Sequence, residues 1–379
     1  MWYGVCIGKR VIPGQTKGSR CSMAGVLGLS IFMAAVFFFG GCRAKPENAG
    51  TEGAQKSVSI AVFIPGVMSG SPIYEMLAQG VRQAAADFSK ETSGTSAGET
   101  GARTGGENAD VEVTIIEGGF NQAEWEPRIT AMAASGSYDL IVSSNPSLPA
   151  IAAAISAQFP QQRFLLLDGE ISGNPMIYTL RYNQREQAYM AGHIAALVAG
   201  AAGSSRIGLV AGQEYPAMNG TILPGYEEGA KAVNEGCTVD FRVVGNWFDA
   251  GKGADLALDM IRNGAAVILC IAGGANEGVV QAAAETGAKV IWFDTNGYAI
   301  RPGTVVGSAI LYQDKAAYEK TRAFLEGRLP FGTAEVLGVA EGYVDFVEDD
   351  PNYIASVDAE IRERQGALIK QIRLGALRL

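Results

Sequence analysis

The sequence predicts an α/β protein of two doubly wound lobes, and three observations carry that prediction. Short apolar runs recur without polar alternation, as strands do when both faces are buried in a parallel sheet. Each run ends in a turn and passes into a helical segment, the βα rhythm of an open sheet with helices on both faces. The chain has 379 residues with 48% apolar content, too long for one typical domain and right for two.

The best-defined unit runs from Ala266 to Gly297. Val267–Ile271 is continuously apolar and ends in Gly273-Gly274, where the backbone can turn tightly. Asn276 is expected to cap the helix that follows. A second buried run, Val290–Phe293, ends in Asp294. Both the glycine turn and the carboxylate therefore lie at strand carboxyl ends, where open α/β sheets bind ligands. Gly273 and Gly274 either line such a site or only make the turn. Asp294 follows four buried residues directly and needs a partner, which a ligand hydroxyl would supply.

From the amino terminus, basic residues up to Arg20 precede an apolar run from Met23 to Phe39 and then Gly40-Gly41-Cys42. A charged segment, an apolar segment and small residues before a cut describe a secretory signal, and the cysteine after the small pair resembles a bacterial lipobox. Residues 1–41 are thus expected to be a signal peptide and Cys42 to carry lipid. An uncleaved membrane anchor is the alternative, since the run approaches the ~20 residues of a spanning helix. Residues 42–57, rich in Glu, Asn, Gly and Ala, are expected to form a tether.

The first strand is Val58–Ile64, followed by a Pro-Gly-Ser loop with Pro72 at a helix start and a helix to about Phe88. Ser89–Asp110 carries almost nothing apolar and reads as a surface insert. Strands follow at Val111–Ile116, Leu140–Val142 and Arg163–Leu167, the last ending in Asp168-Gly169. A long helix from Glu186 opens a second series with strands at Arg206–Val210, Val239–Val244 and in the unit already described. Val305–Leu311 and the next helix are expected to cross back. The first lobe is accordingly 58–182 with about 305–335, and the second 183–304 with about 336–379.

Formal charge is -9, and beyond residue 41 there are 26 basic and 39 acidic side chains, or -13. Such a body repels nucleic acid and anionic membrane surfaces and suits a neutral or cationic small ligand. The single histidine, His193, lies in an alanine-rich helix, so no Ser-His or Cys-His nucleophile and no histidine-based metal site is expected. The five cysteines show no Cys-x-x-Cys spacing, and a Cys237–Cys270 disulfide is open only in an oxidising compartment. Gly251-Lys252-Gly253 lacks the Ser or Thr of a P-loop. A binding protein is expected, not an enzyme, with no metal and no resident cofactor. Aromatic residues suit that reading. Tyr74 opens the first helix, and Trp247 lies just past a strand end. Both are expected to stack on a flat ring, whereas Trp125 and Phe248 are at least as well read as packing residues.

The chain resembles the basic-membrane-protein family of bacterial substrate-binding lipoproteins, whose best-known members bind purine nucleosides. The resemblance rests on Tyr138-Asp139-Leu-Ile, Asp168-Gly169, Glu186-Gln-Ala-Tyr-Met-Ala-Gly192, Gly229-Ala-Lys-Ala-Val-Asn234, Ala272-Gly273-Gly274 and Phe293-Asp294. It implies a type I periplasmic-binding fold, two lobes closing on a ligand around a hinge. It also implies that Asp294 holds ligand hydroxyls, that Gly273 and Gly274 form the binding turn and that Trp247 stacks. Two positions depart from the family: its Asn-Asp pair falls at Tyr74-Glu75, and its lysine falls at Leu311 beside Tyr312 and Gln313. A second aromatic face in place of a polar reader suits a wider ring, and Asp294 suits a polyol. The sequence is similar to the riboflavin-binding branch of this family. The resemblance thus implies a lipid-anchored, extracytoplasmic protein that delivers riboflavin to the permease and ATPase subunits of an ABC-type importer. Asn145, Gln213, Asn296 and Gln313 are expected as further contacts. A purine nucleoside is the alternative ligand, and a ligand-free surface interaction protein the alternative class.

Overall fold

The computed structural model describes residues 57–94 and 110–379. The expected signal peptide, nearly all of the tether, Cys42 and residues 95–109 of the expected insert lie outside them. The helix expected to end near Phe88 continues through the start of that insert to Gly94.

The first lobe opens with β1 (Val58–Ile64), α1 (Pro72–Gly94), β2 (Val111–Glu117), α2 (Trp125–Ser135), β3 (Leu140–Ser144), α3 (Leu148–Gln158), β4 (Arg163–Leu167) and β5 (Ile177–Tyr182). The second follows with α4 (Gln184–Ala201), β6 (Arg206–Ala211), α5 (Leu223–Val233), β7 (Thr238–Val243), α6 (Ala250–Arg262), β8 (Val267–Ile271), α7 (Asn276–Thr286), β9 (Lys289–Asp294) and β10 (Val305–Leu311). The chain closes with α8 (Gln313–Leu325), β11 (Ala334–Leu337), β12 (Val344–Phe346), α9 (Pro351–Ser356) and α10 (Ala359–Arg373).

Two six-stranded sheets result. The first has the order β11-β5-β4-β3-β1-β2 and is parallel throughout. The second has the order β12-β10-β9-β8-β6-β7, parallel except for β12 at its edge. In each, the strand order reverses beside one strand, β1 in the first sheet and β6 in the second. That reversal opens a crevice at the strand carboxyl ends.

Three expectations are corrected here. Val305–Leu311 does not return to the first lobe. All seven of its residues are buried, and β9 on one side and β12 on the other supply its backbone partners. The return comes one element later, where α8 packs along α1 and the carbonyl of Asp314 comes against Gly80. Strands β5 and β11 were not anticipated. The first mixes Thr and Arg into its apolar residues, and the second is a four-residue, part-exposed edge strand. Asn276 does not cap α7 from outside. It is the first residue of that helix, and its side-chain oxygen reaches back to accept from the Ala272 N–H at 2.7 Å, which locks the glycine turn.

Helix α4 is capped by Asn183, whose side-chain oxygen accepts from the Glu186 N–H and satisfies an otherwise orphaned donor. The helix is alanine-rich and buried along most of its length, with Ala188, Met190, Ala191, Ile194 and Ala195 fully enclosed. It meets α5 closely because a glycine stands on each side of the contact. A methyl group at Gly192 would lie 2.0 Å from the Tyr226 carbonyl, and one at Gly229 would lie 2.0 Å from the Tyr189 carbonyl. These are the glycines of two of the family-like motifs, and the structure explains them by helix packing. His193 stands on the same helix, with Nδ1 2.7 Å from Gln365 Oε1 of α10, and burial lowers its pKa. Cys237 and Cys270 are buried free thiols.

A Gly192→Ala substitution tests this contact. Alanine is the better helix former by ~1 kcal/mol, so only the lack of space opposes it. The substitution is expected to destabilise the fold by about 1–3 kcal/mol, read as a lower denaturation midpoint at unchanged slope.

Candidate ligand-binding site

Two aspartates define the crevice. Asp168 follows β4 of the first sheet, and Asp294 ends β9 of the second. Among the described residues they are the non-glycine residues with positive φ, at 54° and 71°. The left-handed conformation is unfavourable for most side chains, is tolerated by Asp, and clusters at functional sites. Here it turns each carboxylate out of the strand line and into the space between the sheets. Each keeps part of its surface open, yet both lie deep among protein atoms.

That placement governs their charge. Burial, then the negative field of Asp294, raises Asp168 to about 7, and Arg181 opposes the rise. Burial raises Asp294 to about 6, and a hydrogen bond from Gln187 restrains it. The Gln187 amide nitrogen donates to Asp294 Oδ1 at 3.1 Å and to the Ala309 carbonyl at 3.0 Å. Among the described residues Asp168 has no hydrogen-bond partner for its carboxylate, so its acceptor capacity is open to a ligand.

Tyrosines close around the pair. Tyr74 lies beside Asn145 and within the field of Asp168, and its hydroxyl donates to the Pro65 carbonyl at 3.1 Å. Burial pushes it up to about 12. Tyr215 feels both aspartates, and burial raises its pKa further still. Tyr182 also feels both and donates to Gln313 Oε1 at 2.6 Å. All three are neutral phenols at physiological pH, so they offer hydrogen bonds and ring faces without charge.

Trp247 joins the group through Tyr215, with ring centroids 6.1 Å apart and planes tilted by 48°. Its six-membered ring lies over Gly212, where an added methyl would come within 2.5 Å. The glycine turn holds its backbone. The Gly274 N–H donates to the Trp247 carbonyl at 2.8 Å, and a methyl at Gly273 would meet that carbonyl at 2.7 Å. Gly273 and Gly274 therefore act on the site by positioning Trp247. The indole remains 39% exposed, an unusual state for the largest apolar side chain and one that leaves surface for a ligand.

The other expected contacts divide. Asn145 stands beside Tyr74, and its own oxygen accepts from the Ser147 N–H at 2.9 Å. Gln313 is fully buried behind Tyr182 and keeps a free amide nitrogen. Asn296 is turned elsewhere: its amide donates to Asp350 at 2.9 Å and its oxygen accepts from the Tyr298 N–H. Gln213 is exposed past β6, and Tyr215 two residues on lies within the field of both carboxylates instead. Glu75 accepts from the Gly70 N–H at 3.2 Å and braces its own loop. Trp125 is a core residue, its indole N–H donating to Gly119, whereas Phe248 is 75% exposed. Sequence reasoning missed Asp168, Tyr182, Gln187 and Tyr215. For Asp168 the signal was there, an acid directly after a buried strand, the same argument that selected Asp294.

A separate hollow of about 410 Å³ lies at the other end of the second sheet, lined by Val198, Ile261, Val306, Val357 and Ile361 with Lys289. Its lysine is already bonded to the Gly303 carbonyl, and it offers a polyol little. Among the described residues there is no cluster of His, Cys, Asp and Glu that would hold a metal ion.

The match to a family model decides the membership. It covers residues 57–378, and its description is ABC transporter substrate-binding protein PnrA-like. The chain belongs to this family. Membership places it among substrate-binding proteins and not among enzymes. Basic membrane protein D of Borreliella burgdorferi is 32% identical over 44% of this chain and 48% of its own length. The ABC transporter nucleoside-binding protein BmpA of Lactococcus lactis is 25% identical over 56% of this chain and 64% of its own. The chain thus spans about half to two thirds of the length of these relatives. Among solved structures, a solute-binding protein of an ABC transporter system from Aeropyrum pernix superimposes with a TM-score of 0.68 at 22% identity, over 85% of this chain and 92% of the other. That likeness is one of fold, and it establishes the periplasmic-binding architecture expected from sequence.

The raised carboxylates have a consequence for stability. An acid whose pKa is higher in the folded than in the unfolded chain binds protons preferentially when folded, so stability falls as pH rises from about 4 to about 7. Asp168→Asn removes that penalty and keeps a residue tolerant of positive φ. Relative to wild type, its Tm is expected to be higher at about pH 7.5, with the difference shrinking toward about pH 4, in thermal melts of the ligand-free protein.

Proposed function

We propose that this protein is the extracytoplasmic, lipid-anchored binding component of an ABC-type importer and that it carries riboflavin between its two lobes. The observation behind the ligand is the pairing of exposed aromatic surface with two open carboxylates at one crevice. Tyr74 comes from the first lobe, and Trp247 with Tyr215 comes from the second. Asp168 and Asp294 lie between them and accept hydrogen bonds from hydroxyl groups, each worth about 1.5–3 kcal/mol when the acceptor is charged. A flat ring with a hydroxylated chain satisfies both halves of the site.

Charge narrows the choice further. Two acids at the floor and a body of net negative charge repel a phosphate, so the free vitamin is preferred over its phosphate ester. Cys42 is the proposed site of lipid attachment, and permease and ATPase subunits are the proposed partners. No helix among the described residues is long and apolar enough to cross a membrane.

A purine nucleoside is the second reading, favoured by the nucleoside-binding relative from Lactococcus lactis. It is also a flat ring with vicinal hydroxyls. Against it stand Glu75, which braces a loop, and Leu311, a buried residue paired with Val344 where the family carries a lysine.

The deciding experiment is a titration of the mature protein, prepared without its lipid, with riboflavin followed by flavin fluorescence. Riboflavin phosphate and a purine nucleoside serve as competitors. Quenching that the phosphate ester displaces poorly supports the proposal. A thermal shift with the nucleoside and no response to riboflavin transfers the function to the second reading, and no response to either leaves a surface interaction protein. Trp247→Ala is expected to weaken riboflavin binding by about 10–100-fold, the loss of one stacking face. Unchanged affinity in the folded variant removes Trp247 from the site.

A further inference from the structure

One side chain at the floor of the crevice has its orientation forced by its neighbours. Gln187, in the first turn of α4, is fully buried. Its amide nitrogen lies within hydrogen-bond distance of both Asp294 Oδ1 and the Ala309 carbonyl of β10. An ionised carboxylate and a backbone carbonyl only accept, so the nitrogen and not the oxygen faces them. The amide oxygen is left buried and without a hydrogen-bond partner among the described residues. A buried acceptor without a donor is unfavourable, so packing alone does not account for a glutamine here. The two bonds made by its nitrogen do.

Among the described residues the titratable groups that face Asp294 are few. Asp168 approaches from the end of β4, Tyr182 from β5 and Tyr215 from the loop after β6. The tyrosines are neutral and Asp168 is of like sign, so none of these stabilises a charge on Asp294. Gln187 is the group that does.

We propose that Gln187 is the positioning residue of this site, clamping one oxygen of Asp294 to the backbone of β10 so that the carboxylate stays ionised and presents its other oxygen to ligand hydroxyl groups. This deepens the reading of the crevice as a polyol site and rests on it. The specificity consequence is that the ligand must donate, not accept, at Asp294. A hydroxyl or a ring N–H fits, and an unprotonated ring nitrogen or a carbonyl oxygen does not. Without the clamp, burial dominates, Asp294 holds its proton near neutral pH, and a protonated carboxyl both loses an acceptor and rotates freely.

The test uses Gln187→Met, an unbranched side chain of similar length with no donor. Two quantities are read from about pH 5 to about pH 9: the carboxyl carbon resonance of Asp294 in the ligand-free protein, and riboflavin affinity by fluorescence. The resonance is assigned with Asp294→Asn. In the variant the Asp294 midpoint is expected to move up by about one unit or more. Relative to wild type, riboflavin affinity near pH 7 is expected to fall about twofold for a rise of one unit and about tenfold for a rise of two, and the difference is expected to close toward about pH 9, where both aspartates are ionised in either protein. An unmoved midpoint in a folded variant overturns the proposal, as does a loss of affinity independent of pH. If Gln187→Met does not fold, Gln187→Leu makes the same test, since it is neutral, buries readily and carries no donor. A midpoint that moves while wild type binds no riboflavin upholds the role of Gln187 and overturns the ligand. Riboflavin binding with an unmoved midpoint does the reverse.

Discussion

Two carboxylates held deep between two sheets are the constraint to which the rest of this molecule answers. Charge in such a place is unfavourable unless something accepts or opposes it. The fold places each acid directly after a buried strand, in a backbone conformation that most residues avoid, and surrounds the pair with neutral phenols. Among the described residues only Arg181, acting on Asp168, and the amide of Gln187, acting on Asp294, ease the charge. In the proposed function that remaining imbalance favours a ligand with hydroxyl donors over an anionic one.

The architecture supports this in a direct way. The strand-order reversals at β1 and β6 open the crevice, and the carboxyl ends of β3, β4, β8 and β9 deliver Asn145, Asp168, the glycine turn and Asp294 to it. Trp247 comes from the loop after β7 and would be a loose surface residue without the Gly273-Gly274 turn that grips its carbonyl. Crossings of the chain between the sheets lie close by. The Tyr182 hydroxyl meets Gln313 at the first two of them, so the group that ties the crossings together also feels both aspartates. The aspartates of the crevice and the crossings of the chain therefore share one side chain, Tyr182.

Family membership and site chemistry answer different questions. The family match covers nearly all of the described residues and makes the chain a member of a family of substrate-binding proteins. It does not name a ligand. The motifs that carry the resemblance are partly structural, since Gly192 and Gly229 serve helix packing and Asn276 locks a turn. The ligand has to be argued from the side chains that remain open, which are the aspartates and the half-exposed aromatic surface.

Reading the chain without its structure already gave the α/β class, the order of most strands and helices, and the glycine turn, because buried strands and turns write themselves in local composition. It also singled out Asp294, Tyr74 and Trp247, each an unusual residue at a strand or helix end, which the structure brings to one crevice. Weak or mixed segments escaped it: β5 carries Thr and Arg, β11 is short and part exposed, and the lobe assignment of β10 depends on which neighbour it pairs with. The partners of the site escaped it too. Nothing local distinguishes Gln187 from any other helix-start glutamine, or turns Asn296 toward Asp350 and away from Asp294. Those facts belong to residues more than fifty positions apart in the chain, and only the folded geometry brings them within hydrogen-bonding distance. Sequence determined which side chains were unusual; tertiary structure decided which of them meet, because burial and the fields of neighbours are properties of the assembled crevice and not of any segment.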